Sequence, residues 1–244
     1  MLNEQHMRLL RGKPIKVGLI NVYPWTLGEI DDFGESNYNI FISLLLTNKD
    51  KLSEVEGIDK DALSEISDYE AMCGLVLGNK DTERIMLSGL TKTFNTDVSF
   101  DAYNGFFIKY NETSVYLNGL YKDIQKVIEA QNVLNANNKS DFNPANKAAK
   151  KMYEKIIERR NKVLKKQKKD KGSSLSDIIS VVSTYKDGLN LNNIWDLTVY
   201  QLYDHYFRLL IWDDYRVSSI HLPHMDEKDR KKIKHWSLPI KEFF

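Results

Sequence analysis

Thr198 and Gln201 stand three residues apart at the head of a run, Val199 to Leu210, in which apolar and aromatic residues recur at intervals of three and four. No other stretch narrows so far what the chain can fold into. A threonine hydroxyl that accepts from the amide three residues on, while the glutamine side chain turns back to the threonine amide, is a capping box, and Leu197 and Leu202 stand where a hydrophobic staple would close over it. The pattern predicts a helix opening at Val199. Its stripe is Val199, Leu202, Tyr203, Tyr206, Leu209 and Leu210, with Trp195, Phe207, Trp212 and Tyr215 alongside. Tyrosine and tryptophan are enriched at the centres of interfaces, so Trp195, Tyr200, Tyr203, Tyr206, Phe207, Trp212 and Tyr215 are the candidate partner-binding residues. The bland alternative seals the same stripe against neighbouring helices; half of it is expected to pack in this way and half to meet a partner.

A chain of 244 residues that is 42% hydrophobic can bury a substantial core. Its charged share of 28% and the short apolar run Ile40 to Leu46, broken by Ser43, predict a soluble protein with no membrane span. The opening residues have neither an apolar block nor a small-residue cleavage site, which predicts synthesis and residence in the cytoplasm. Cys73 is the single cysteine, so neither an internal disulfide nor a cysteine zinc site is available, and its neighbours Met72, Leu75 and Val76 predict a buried thiol.

Along the chain, Ile15 to Tyr23 reads as one strand ended by Pro24. Thr26 and Glu29 form a second capping box, opening a helix that should stop near Gly34, and a further helix is expected over Asn37 to Leu46. Two more follow, over Ala62 to Leu77 and Thr82 to Phe94. Val98 to Tyr110 reads as a hairpin turned at Asn104-Gly105, since both residue types tolerate the positive φ of a type I′ turn. Val115 to Leu117 adds a third strand, and Tyr121 to Gln131 an amphipathic helix. The expected class is α+β and mainly helical. An α+β domain with a β-hairpin spans residues 1–131, an Asn-rich linker 132–143, and an all-helical domain with a long basic helix 144–244. The rear part contains that basic helix to about Lys169, a short helix over Leu175 to Val182, the aromatic helix, and a charged tail. Trp236, Leu238, Ile240, Phe243 and Phe244 give the tail enough apolar surface to dock.

The net charge of +1 conceals a strongly basic segment, Lys147 to Lys171, in which twelve Lys/Arg face only Glu154, Glu158 and Asp170. Lys150, Lys151, Lys155, Arg159, Arg160, Lys162, Lys165 and Lys166 are its candidate surface. Phosphate-backbone binding would use such an array. Nucleic-acid modules interleave aromatics or glycines among the charges, however, and Lys162 to Lys171 has neither, which favours solvation or an acidic protein partner. His221, His224 and Asp226 are ligand types set close together, but they lack the further ligand of an ordinary zinc site, and Asp31-Asp32 and Asp213-Asp214 read as helix-end charge. No phosphate-binding loop, nucleophile elbow or dinucleotide turn occurs, so no catalytic, cofactor-binding or metal residues are assigned and no enzyme activity is expected.

Lys13-Pro14-Ile15-Lys16, Tyr23-Pro24-Trp25-Thr26-Leu27-Gly28-Glu29-Ile30, Phe33-Gly34-Glu35, Tyr38 and Ser43-Leu44-Leu45 resemble the opening of proteins from tail gene modules of phages and prophages of Gram-positive bacteria. Asn143-Pro144-Ala145, the Lys-rich helix, Ser176-Asp177-Ile178-Ile179-Ser180 and Ile194-Trp195-Asp196-Leu197-Thr198-Val199-Tyr200-Gln201-Leu202 resemble their second half. The resemblance implies a role in tail morphogenesis, above all a tail assembly chaperone holding tape-measure or tail-tube protein in the host cytoplasm. Its rivals are a structural virion component, such as a baseplate or connector subunit, and a DNA-associated accessory protein. Phage tail proteins, other virion subunits or further copies of the chain are the expected partners.

Overall fold

The computed structural model describes residues 2–49, 52, 65–101, 103–110, 113–134, 174–185, 187–230 and 233–240. They form a mainly helical α+β protein with two small antiparallel sheets. Two compact units emerge, one of Met1–Leu134 with Trp195–Gln201 and one of Asn135–Ile194 with Leu202–Phe244. The basic helix expected from residue 144, with Lys150, Lys151, Lys155, Arg159, Arg160, Lys162, Lys165 and Lys166, lies outside the described residues, as do residues 135–143 of the expected linker and Phe243 and Phe244 of the tail.

The first unit opens with helix α1 (Leu2–Leu10), which sequence reading did not anticipate. Residues 15–23 then correct the expectation of a single strand: β1 (Ile15–Val17) and β2 (Ile20–Val22) pair antiparallel, with Val17 opposite Ile20. Gly18 alone of the two turn residues has positive φ, at 57°, the arrangement of a type II′ turn. Ile15, Val17, Ile20 and Val22 are buried, whereas Lys16 and Asn21 face water, so the period of two survives in each short strand.

Helix α2 (Leu27–Phe33) starts at the expected capping box. Thr26 Oγ1 accepts from the Glu29 amide at 3.2 Å, a Glu29 carboxylate oxygen accepts from the Thr26 amide at 2.9 Å, and Gly34 ends the helix at φ 89°. Helices α3 (Glu35–Leu45), α4 (Asp68–Leu77) and α5 (Lys80–Phe94) follow. The helix expected from Ala62 is thus described from Asp68, where Ser67 and Glu70 form a capping box. Where α3 meets α5, the Phe41 ring occupies the place a side chain at residue 89 would need, which explains the glycine there.

Strands β3 (Val98–Asp101), β4 (Gly105–Tyr110) and β5 (Thr113–Tyr116) form an antiparallel meander in that order. The hairpin is where the sequence put it, but its turn is not. Asp101 pairs with Gly105, and the Asp101 carboxylate accepts from the Tyr103 and Asn104 amides at 2.9 Å each, so three residues rather than Asn104-Gly105 close the loop. Gly105, at φ 79°, leaves room for the Tyr69 hydroxyl, which accepts from the Phe106 amide at 2.7 Å. Helix α6 (Tyr121–Gln131) has the bounds read from sequence, and its Tyr121 and Gln125 side chains donate to the Leu45 carbonyl, satisfying the end of α3.

Trp25 sits at the centre of this unit. It is 5% exposed, its ring lies 5.1 Å from Phe33, 5.2 Å from Tyr38 and 5.9 Å from Phe41, and its indole N–H donates to the buried Thr93 hydroxyl at 3.0 Å. Burial raises the phenols of Tyr38, Tyr69 and Tyr121 well above the ordinary tyrosine range, and pushes the Cys73 thiol up to about 11. Cys73 is half-buried, short of the full burial its neighbours suggested.

In the second unit, α7 (Leu175–Tyr185) turns Ile178, Ile179 and Val182 inward and runs one turn beyond the expected helix over residues 175–182. Ser174 and Asp177 cap its start reciprocally at 3.2 and 2.8 Å. Helix α8 is the long aromatic helix, Val199–His221, and a short α9 (Glu227–Arg230) precedes the tail.

Candidate docking surface

The start of α8 is fixed as its sequence demands. Thr198 Oγ1 accepts from the Gln201 amide at 3.3 Å, and the Gln201 Oε1 accepts from the Thr198 amide at 2.9 Å. The other end of the same side chain reaches a different helix: Gln201 Nε2 donates to the Leu10 carbonyl, at the end of α1, at 2.9 Å. Thr198 pairs with Thr26 as an isolated antiparallel bridge, and the Leu27 amide donates to the Leu197 carbonyl at 2.8 Å. Tyr200, one of the candidate partner-binding residues, is engaged at this point, its hydroxyl 2.8 Å from His6 Nδ1. These bonds tie the segment Trp195–Gln201 into the first unit.

Beyond Gln201 the helix is covered unevenly. Leu202 and Ile211 are buried, and Tyr203, Tyr206, Phe207 and Tyr215 are half-buried. The rings run in series, Tyr203 to Phe207 at 5.8 Å and Tyr206 to Phe207 at 6.1 Å, with Trp212 and Tyr215 6.4 Å apart further on. Burial, then the neighbouring Tyr206, raises the Tyr203 phenol. Leu210 is 43% exposed, Val217 44% and Ile220 67%, and these three fall within about 80° of one another around the helix, leaving an apolar strip on its distal half, while Trp212, 45% exposed, stands on another face. Of the candidate residues, Trp195 and Trp212 are thus exposed and the others half-buried.

The tail docks on this half of α8, as its apolar content suggested. Trp236 meets Trp212 edge-on at 5.4 Å, and His235 meets Tyr215 edge-on at 5.0 Å. Arg208 Nη1 donates to the Leu238 carbonyl at 2.8 Å and to that of Trp236 at 3.4 Å. Arg208 carried no cue in the sequence, because an arginine that binds backbone carbonyls looks like any surface cation until the tail is in place. Asp213 and Asp214 fall inside α8 rather than at a helix end, since the helix continues to His221; Asp213 pairs with Arg216 at 2.9 Å.

An open depression of about 300 Å³ in the first unit is lined by Leu9, Ile15, Val17, Lys16, Asp123 and Lys126, among others, and Asp123 is ion-paired to Lys126 at 2.9 Å. Among the described residues no three of His, Cys, Asp and Glu converge as a metal set, and no helix is long and apolar enough to cross a membrane.

The family model of the YomV second domain matches residues 165–241, the stretch that carries α7, α8 and the docked tail. It is a phage-associated family, and the match supports the phage association read from the sequence. No curated protein and no solved structure matches the chain.

Proposed function

We propose that the protein is a non-enzymatic phage tail-morphogenesis factor, a tail assembly chaperone that binds tape-measure or tail-tube protein through the apolar surface of α8 and works in the host cytoplasm. The observation that carries the reading is the exposure of Leu210, Val217 and Ile220 as one strip along a long helix within the phage-family region. Long helical clients recognise such a surface by laying an apolar stripe against it, and aromatic anchors supply most of the affinity. Co-expression with the tape-measure and tube proteins of the same phage tests this: a soluble complex, together with absence of the chain from mature particles by mass spectrometry, is expected. Stoichiometric retention in particles would replace the chaperone with a structural virion subunit.

A further inference from the structure

We propose that the protein pairs with a second copy of itself through β5, the two strands running antiparallel so that the three-stranded meanders of both copies join into one continuous sheet. This edge belongs to the first unit and shares no residue with the α8 strip of the docking reading.

The two edges of the meander are finished differently. On β3 the outward amide of Val98 donates to the Thr91 hydroxyl of α5 at 3.3 Å, and Val98 is buried, so a helix closes that side. On β5 the register shows which groups face outward. The Leu117 amide donates to the Phe106 carbonyl at 3.0 Å, and Tyr116 stands opposite Phe107, Val115 opposite Ile108 and Ser114 opposite Lys109. Antiparallel ladders alternate bonded and non-bonded pairs, so Val115 bonds inward to β4, while the N–H and C=O groups of Ser114 and Tyr116 point away from it. Among the described residues no strand lies on that side. Ser114 is exposed and Tyr116 is 39% exposed, so water reaches the edge. Edge strands of monomeric proteins are commonly guarded by charges, prolines or bulges. Thr113-Ser114-Val115-Tyr116 has no charge and no proline, and its register with β4 is unbroken.

The strand also fits itself. In a two-fold antiparallel pair centred on Val115, Ser114 falls opposite Tyr116 of the second copy, and no other register lets both outward residues of each strand bond within β5. A valine at the axis brings no like charges together. On the buried face, the row Val98, Ile108 and Val115 then runs on into the same row of the second copy. On the other face each Tyr116 ring, already 5.4 Å from Phe107, lies across from a serine small enough to leave it room. Because the β3 edge is closed in each copy, association stops at two and does not run on into fibres.

Sedimentation velocity of the full chain from dilute to concentrated solution, with amide hydrogen exchange read by NMR at both extremes, tests the proposal. A monomer–dimer equilibrium is expected. The Ser114 and Tyr116 amides should pass from fast exchange when dilute to slow exchange when concentrated, whereas the Val115 amide, bonded to β4, is slow in both. Ser114→Pro removes an outward donor from each copy and no ladder bond, and is expected to weaken dimerisation by about tenfold to a hundredfold. Tyr116→Lys should weaken it too, by setting two cations diagonally across the axis, whereas Ser99→Lys, which adds the same charge at an exposed site on the closed edge, should leave it unchanged. The exchange measurement uses the unaltered chain, so a variant that fails to fold does not blunt the test. A chain monomeric throughout, a dimer whose Ser114 and Tyr116 amides stay fast, or a dimer indifferent to Tyr116→Lys would each overturn the proposal. Protection of these amides only on addition of a tail protein would also overturn it, by giving the edge to that partner.

Discussion

Replacing Trp25 by phenylalanine separates two contributions that the core of the first unit combines. The ring contacts to Phe33, Tyr38 and Phe41 survive in reduced form, but the fully buried Thr93 hydroxyl loses the indole that donates to it at 3.0 Å. Phenylalanine is smaller than tryptophan by roughly 40 Å³, which at about 24 cal/mol per Å³ of residual cavity costs near ~1 kcal/mol. A buried hydroxyl left without its partner adds about 1–3 kcal/mol. The expected loss is therefore about 2–4 kcal/mol. The second substitution carries the argument: Thr93→Val in the Trp25→Phe background removes the hydroxyl and should restore about 1–2 kcal/mol. Native-state hydrogen exchange of the α5 amides is the appropriate assay, because it reads the first unit by itself and does not require a chain of two units to unfold in one step. If Thr93→Val restores nothing in that background, the bond between Trp25 and Thr93 contributes no more than packing, and the reasoning fails.

Gln201→Ala should cost roughly 1.5–3 kcal/mol, the sum of a lost cap and a lost bond to the Leu10 carbonyl, and exchange protection should fall at the end of α1 as well as at the start of α8; loss confined to α8 would show that the link to α1 carries no weight. Gly89→Ala should destabilise by about 1–3 kcal/mol despite alanine's better helix propensity, because the added methyl meets the Phe41 ring, and a stabilised variant in thermal melts would contradict that packing. Alkaline pH should unfold the first unit. Tyr38, Tyr69 and Tyr121 have folded values raised above the ordinary 10.0, so their contribution is fully present below that pH and is lost as pH rises through the folded values. Tyrosinate absorbance should consequently appear together with loss of helical circular dichroism; these three phenols titrating at the ordinary value in an intact fold would refute the burial argument.

Local signals were the most legible. The capping boxes at Thr26 and Thr198 and the bounds of α6 followed from bonds that span three or four residues, and tertiary context had no reason to override them. The β1–β2 hairpin was hidden because two strands of three residues, with Leu19 in the turn, look like one imperfectly alternating strand. At Asn104-Gly105 the expected turn lost to the Asp101 carboxylate, which gathers the loop amides and widens the connection. Within the candidate surface, the aromatics of α8 and the docking of the tail were readable from composition. Arg208 and the return of Trp195–Gln201 to the first unit were not, since both depend on partners distant in sequence.

That return has a consequence for biosynthesis. The Thr26–Thr198 bridge and the Gln201–Leu10 bond cannot form until the ribosome has passed residue 201, long after residues 1–134 have emerged. At elongation rates of about 5–20 residues per second, the intervening residues 135–194 impose a wait of roughly 3–12 s. During that interval the nascent chain carries an open seam along α1 and α2, so completion of the first unit waits on a segment made long after the rest of it.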